Sequence, residues 1–242
     1  MIFAAGLGTR LRPLTDKIPK ALVPIAGKPL LEHIIEKLKS SGFDEIIVNV
    51  HHFPEQIIDF LNSKNNFNIR VEISDESDLL LDTGGGIRKA AHFFDDNKPF
   101  LVHNVDILSN IDLSELYSAH LQKNTLATLA VSQRNTARYL LFDKDFLLQG
   151  WQNIQTGETR PEGRILPENL SPLAFAGIQI LSPQVLFLME KFPDKFSIID
   201  FYLQNLEGNI SGFVPNDFRM IDVGKQDTLL QTEEFVRINN TL

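Results

Sequence analysis

Two glycines and the basic side chains behind them are the residues most able to do chemistry. Gly6-Leu7-Gly8-Thr9-Arg10 is followed by Arg12, Lys17 and Lys20, and the window 6–28 holds five basic residues against Asp16 alone. That is a net +4 within a 242-residue chain whose formal charge is −8. Glycines let backbone N–H groups approach an anion closely, and arginine and lysine add fixed charge, so the pattern reads as a phosphate site. Two better-known phosphate loops do not match. A dinucleotide fingerprint needs glycine where Leu11 stands, and a P-loop needs Gly-Lys-Ser/Thr, which is absent. Asp106 ends the apolar run from Pro99 to Val105, and Asp222 ends the run from Phe218 to Ile221. A carboxylate at the C-terminal end of a strand faces the crevice in which open α/β sheets bind ligands. Two of them beside a basic loop suit Mg²⁺ shared with substrate phosphates, so both are expected metal ligands. The third feature is the segment LLLDTGGGIRKA, where Gly84 and Gly85 would leave a flat slot for a base, or simply permit tight packing.

Positioning these residues requires alternating elements. Apolar runs of strand type (MIFAA, EIIVNV, IRVEIS, PFLVHNVDIL) alternate with helical periodicity in PLLEHIIEKLKSSGF, PEQIIDFLNS and GGIRKAAHFF. In the first helix Leu31, Ile34, Ile35 and Leu38 share a face, and Gly42 is its stop. The second half offers strands in LATLAVS, RYLLFDKDFLLQG with a turn at Asp143 and Asp145, LAFAGIQIL, ISGFVP and FRMIDVG. Helices are expected after a Ser182-Pro183 cap, over SIIDFYLQNL and over DTLLQTEEFVRI. The reading is an α/β, Rossmann-like fold: a mixed, mostly parallel sheet with helices on both faces. One domain of 1–242 is expected, with one half over about 1–110 and another over about 111–242.

Composition narrows the chemistry. With no cysteine, disulfides, thiolate metal sites and a cysteine nucleophile are excluded, and a cytoplasmic protein fits. The opening MIFAA has no basic residue before it and is too short for a secretory signal. No stretch approaches the ~20 apolar residues that cross a bilayer. The acidic balance argues against nucleic acid as a partner, since phosphate-tracking surfaces are broadly basic. His51 and His52 are adjacent, so in a strand they would point to opposite faces. His33, His92 and His120 fall in helical runs as surface or boundary positions, and His103 reads as packed. No Ser-His-Asp or zinc pattern emerges.

The run GLGTRLRPLTDKIPKALVPIAGKP resembles the signature of the sugar-1-phosphate nucleotidylyltransferases, with Pro13, Thr15, Pro19, Lys20, Pro24, Gly27 and Pro29 in their expected places. The resemblance implies that the backbone around Ala5, Gly6 and Gly8 meets the nucleotide, that Thr9 and Arg10 hold its phosphates, and that Lys20 meets the phosphate of the sugar. It implies Mg²⁺ as cofactor. Val105 stands where the family usually has glycine before its first aspartate. The glutamine and Pro-x-Gly-Leu-Ala stretch of thymidylyl and many uridylyl members is absent. DTGGGI, NVHHFPEQI and the short length instead look like the N-acetylmuramate-1-phosphate uridylyltransferases of cell-wall recycling. The expected partners are therefore a nucleoside triphosphate, UTP, and a sugar 1-phosphate, with sugar contacts from Gly177, Glu168 and Asn169. Alternatives are a mannose- or glucose-1-phosphate guanylyl- or thymidylyltransferase, or a non-catalytic nucleotide-sugar-binding protein.

Overall fold

A computed structural model describes residues 1–224 and 228–238. In chain order the elements are β1 (Ile2–Phe3), β2 (Pro24–Ile25), β3 (Lys28–Pro29), α1 (Leu30–Ser40), β4 (Glu45–Val50), α2 (Pro54–Ser63), β5 (Arg70–Asp75) and α3 (Asp82–Lys89). Then come β6 (Phe100–Asn104), β7 (Ile107–Ser109), α4 (Leu113–Lys123), β8 (Ala127–Ser132), β9 (Arg138–Phe142), β10 (Leu148–Asn153), β11 (Thr159–Arg160) and β12 (Ser171–Leu181). The chain ends with α5 (Gln184–Met189), α6 (Ile198–Gln204), β13 (Ile210–Phe213), β14 (Met220–Asp222) and α7 (Leu229–Ile238). The start expected for the last helix, at Asp227, lies outside the described residues. The elements form two compact units, one of residues 1–81, 103–113 and 219–242, the other of 82–102 and 114–218.

The first unit is the parallel βαβ part of the α/β fold. Ile2 of β1 sits opposite Val48 of β4 and His103 at the end of β6, and β5 extends the sheet beyond β4 in parallel register. α1 buries the expected face, Leu31, Ile34, Ile35 and Leu38, and Leu30 as well. Fully burying one such side chain is worth about 1.5–3 kcal/mol, which anchors the helix. Gly42 follows at φ 89°, the left-handed conformation of a helix stop. The run from Pro99 to Leu108 was expected as one strand. It divides because β6 follows β1, with Val105 N–H donating to Phe3 O, while β7 leaves to pair with β14. Asp106 sits at that corner.

In the second unit β12 pairs antiparallel with β8 over Ala174–Leu181 and with β9 over Ser171–Leu173, and β13 joins β8 in parallel. The β9–β10 turn falls where Asp143 and Asp145 indicate, with Asp143 Oδ1 accepting from the Asp145 and Leu147 N–H groups. α3 begins at Asp82, earlier than the helical pattern indicated, so its glycines lie inside it.

Two histidines correct the surface expectation. His33 is 6 % exposed with Nε2 at 2.9 Å from Ile25 O, and His120 is 2 % exposed. Ser182 does not cap α5. Its hydroxyl donates to Thr125 O and accepts from His120 Nε2, while Thr128 Oγ1 meets His120 Nδ1 at 2.9 Å. A helical period marks a face but cannot tell a polar residue with hydrogen-bond partners inside from one in water.

Candidate active site

The glycine loop runs from β1 into a single 3-10 turn over Thr9–Leu11. Gly8 is demanded by the fold: its φ is 62°, and an added Cβ would lie 2.8 Å from Thr15 Cγ2 and 3.1 Å from Lys20 Cβ. Thr15 also donates to Gly8 O at 2.8 Å, closing the loop on itself. Gly6 is different. It is exposed, lies outside the left-handed region, and an added Cβ would meet nothing within 4 Å. Ala4 and Ala5 N–H groups both donate to Asn49 Oδ1, at 2.7 and 3.3 Å. The Ala5 amide is therefore already engaged, whereas the Gly6, Leu7 and Gly8 N–H groups have no protein acceptor among the described residues and can meet an anion. Thr9 and Arg10 are exposed at the start of the 3-10 turn.

Lys20 is 8 % exposed and its ammonium pairs with Asp106 Oδ2. The β7–β14 register sets Asp222 opposite Ile107, and Val223 N–H donates to Asp106 O at 2.9 Å, so the two expected metal ligands come from adjacent backbone positions. Arg10 joins them: a Cβ built on Gly224 would lie 2.8 Å from Asp222 Oδ1 and 2.9 Å from Arg10 Nη2. Arg10, Lys20, Asp106 and Asp222 thus belong to one region of one unit. Two carboxylates suit a hard cation such as Mg²⁺, which keeps waters and shares substrate phosphates rather than needing a full protein cage. No group of three or more metal-binding side chains occurs among the described residues. Val105 is buried, and the N–H it offers is taken by Phe3 O.

The expected glycine slot needs correction. The place above Gly84 is filled by the Phe196 ring, 2.2 Å from where a Cβ would stand, and the Gly84 and Gly85 N–H groups both point at Phe196 O, at 2.9 and 3.3 Å. Gly84 therefore serves close packing, with the Phe196 ring in the place a side chain would take. Arg88 holds the chain leading to Phe196, donating to Phe192 O at 2.6 Å and to Asp194 at 2.7 Å.

Gly177 has φ 74° and interrupts the β12–β8 register between Phe175 and Gln179, the signature of a bulge. Glu168 and Asn169 lie exposed on the loop between β11 and β12. The same unit holds a cleft of about 870 Å³ that none of these three lines. Its walls include Arg160, Lys195, Phe196 and Asp200. Arg160 bonds Glu158 at 2.8 Å and Asp200 at 3.2 Å and stacks over Trp151.

Sequence reasoning missed Asn49, Glu76, Phe196 and Arg160. Only Asn49 carried a signal, as the lone amide in the apolar strand EIIVNV.

The chain belongs to the nucleotidyl transferase family, whose model matches residues 1–237. Members of that family generally depend on a divalent metal. The chain is 31% identical over 240 residues to the UTP–glucose-1-phosphate uridylyltransferase of Synechocystis, an alignment covering 93% of this chain and 60% of that protein. It is 42% identical over 108 residues to the N-acetylmuramate α-1-phosphate uridylyltransferase of Caulobacter vibrioides, 44% of each. The chain thus spans less than two thirds of the length of either relative. Among solved structures, HddC from Yersinia pseudotuberculosis complexed with GMP-PN matches with a TM-score of 0.76 and 26% identity over 97% of both chains.

Proposed function

We propose that the chain transfers a nucleotidyl group from a nucleoside triphosphate, UTP, to a sugar 1-phosphate, N-acetylmuramate 1-phosphate, releasing pyrophosphate. The carrying observation is the convergence of the Gly6–Gly8 loop, Arg10, Lys20, Asp106 and Asp222 in one unit. An oxygen of the sugar 1-phosphate attacks the α-phosphorus, forming one P–O bond as the α–β bridging bond breaks. That nucleophile is already an anion, so no general base is needed. The demands are to hold two mutually repelling phosphates in line and to offset the charge of the transition state. In this reading Gly6 and Leu7 N–H groups and Arg10 bind the triphosphate, and Lys20 orients the sugar phosphate. Asp106 and Asp222 would hold Mg²⁺, which would supply charge neutralisation when bound. Gly177, Glu168 and Asn169 are the residues proposed to contact the sugar.

Uridine is supported by the 42% identity to the muramate enzyme and by the uridylyltransferase relative. The GMP-PN complex of HddC favours a second reading, a guanylyltransferase. Thermal shift with Mg²⁺ separates them. A ligand at 100 times its Kd adds about 2.7 kcal/mol, which at about 2–4 °C per kcal/mol raises Tm by about 5–11 °C. UTP should give this shift and GTP should not; an equal or larger shift with GTP would promote the guanylyl reading.

A further inference from the structure

The backbone entering the glycine loop is held by a buried side-chain brace. Asn49, 3 % exposed, turns its oxygen to the Ala4 and Ala5 N–H groups, so its amide nitrogen faces the other way. There it donates to Glu76 Oε1 at 2.7 Å, and the second oxygen of Glu76 accepts from Leu81 N–H at 3.1 Å. Glu76 is fully buried, and among the described residues no cationic side chain forms an ion pair with it. Its backbone is fixed as well: the N–H donates to Val50 O at 2.7 Å, and the carbonyl accepts from His51 Nδ1 at 2.7 Å and Leu79 N–H at 3.1 Å. Burying an unpaired carboxylate is costly, and an apolar residue would fill the space without that cost. What the carboxylate offers is two acceptor oxygens and no donor. A glutamine would turn an NH₂ group against one of the two donors it faces.

We propose that Glu76 is a positioning residue: acting through Asn49, it fixes the Ala4–Ala5 backbone from which the Gly6 and Leu7 amides project toward the triphosphate. This rests on the reading of the glycine loop as the triphosphate site. The brace touches neither Arg10 nor the Lys20–Asp106 pair, so its loss should weaken triphosphate binding and leave the chemical step nearly intact.

Glu76→Met removes both acceptors at similar volume, and Asn49→Ala removes only the link to the loop. Amide hydrogen exchange, Mg-UTP and Mg-GTP titration, and steady-state kinetics are measured on the full chain. Glu76→Met should speed exchange at Ala4, Ala5 and Leu81 about tenfold, the scale of one lost buried hydrogen bond. Asn49→Ala should do so at Ala4 and Ala5 but not at Leu81, with α1 and β4 amides within about twofold in both. Kd and KM for the triphosphate should rise about tenfold, while kcat and the sugar-phosphate KM change less than about threefold. Wild-type exchange at Ala4 and Ala5 in either variant, or loosened amides with unchanged triphosphate affinity, would overturn the proposal. Failure of the underlying reading is distinguishable, because it shows in the wild type as the absence of any triphosphate binding.

Discussion

Gly6→Ala and Gly8→Ala make the same chemical change two residues apart and should fail in opposite ways. At Gly8 an alanine must adopt φ 62°, which costs an L-residue about 1–2 kcal/mol. Its Cβ would also press to 2.8 Å from Thr15 Cγ2, where real contacts do not occur, and relieving such overpacking costs about 1–3 kcal/mol. Together these give about 2–5 kcal/mol. At about 2–4 °C per kcal/mol that lowers Tm by about 4–20 °C. At Gly6 nothing lies within 4 Å of the new methyl group, so stability should change by no more than about 0.5 kcal/mol, or about 2 °C. Yet if a phosphate approaches that backbone, the methyl stands in its way, and triphosphate affinity should fall about tenfold, or about 1.4 kcal/mol. Scanning calorimetry and triphosphate titration on both variants decide the matter. A Gly8→Ala protein melting within 2 °C of wild type would refute the steric reasoning. A Gly6→Ala protein that keeps both its stability and its affinity would refute close approach of the nucleotide to the loop.

Asp106→Asn or Asp222→Asn should abolish turnover through lost Mg²⁺ binding with the fold retained; near wild-type rates in a Mg²⁺ titration would remove either residue from the metal site. Arg10→Ala should lower kcat by about 10² to 10³, the scale of one lost transition-state donor, whereas Lys20→Ala should mainly raise KM for the sugar phosphate; the opposite split would mean the two phosphates are exchanged. Burial lowers the His120 pKa to about 4, from an unfolded value near 6.5. The folded state therefore binds fewer protons in that window, so stability is fully present above about pH 6.5 and falls by about 3 kcal/mol as pH drops toward 4. Denaturant titrations between pH 7 and 4.5 should show this slope reduced by one proton in His120→Gln; an unchanged slope would mean that His120 is not held neutral.

The parallel part of the fold was legible because its helices and strands carry clean periodicity: α1 buries Leu31, Ile34, Ile35 and Leu38 as their spacing requires. The basic loop was legible for a different reason, since positive charge concentrated on an acidic chain has few structural uses. What stayed hidden depends on partners distant in sequence. The break between β6 and β7 is set by β14, more than 110 residues later, and nothing in PFLVHNVDIL marks it. Gly84 looked like a slot because glycines report only the absence of a side chain; that Phe196 fills the space is a tertiary fact. Glu76 lies in the polar stretch SDESD, which carries no sign of burial, and its partner is the Asn49 amide on the neighbouring strand. Asp106 and Asp222 were placed at strand ends by sequence, and their adjacency follows from the β7–β14 register.

Pyrophosphate release from Mg-UTP and N-acetylmuramate 1-phosphate, with the nucleotide product identified by mass, tests the central claim most directly. The expected result is stoichiometric pyrophosphate and a uridine diphosphate sugar, abolished in Asp106→Asn. No pyrophosphate from any pairing of the four common triphosphates with a panel of sugar 1-phosphates, by a protein that nonetheless binds a triphosphate, would contradict it and leave a binding protein in its place.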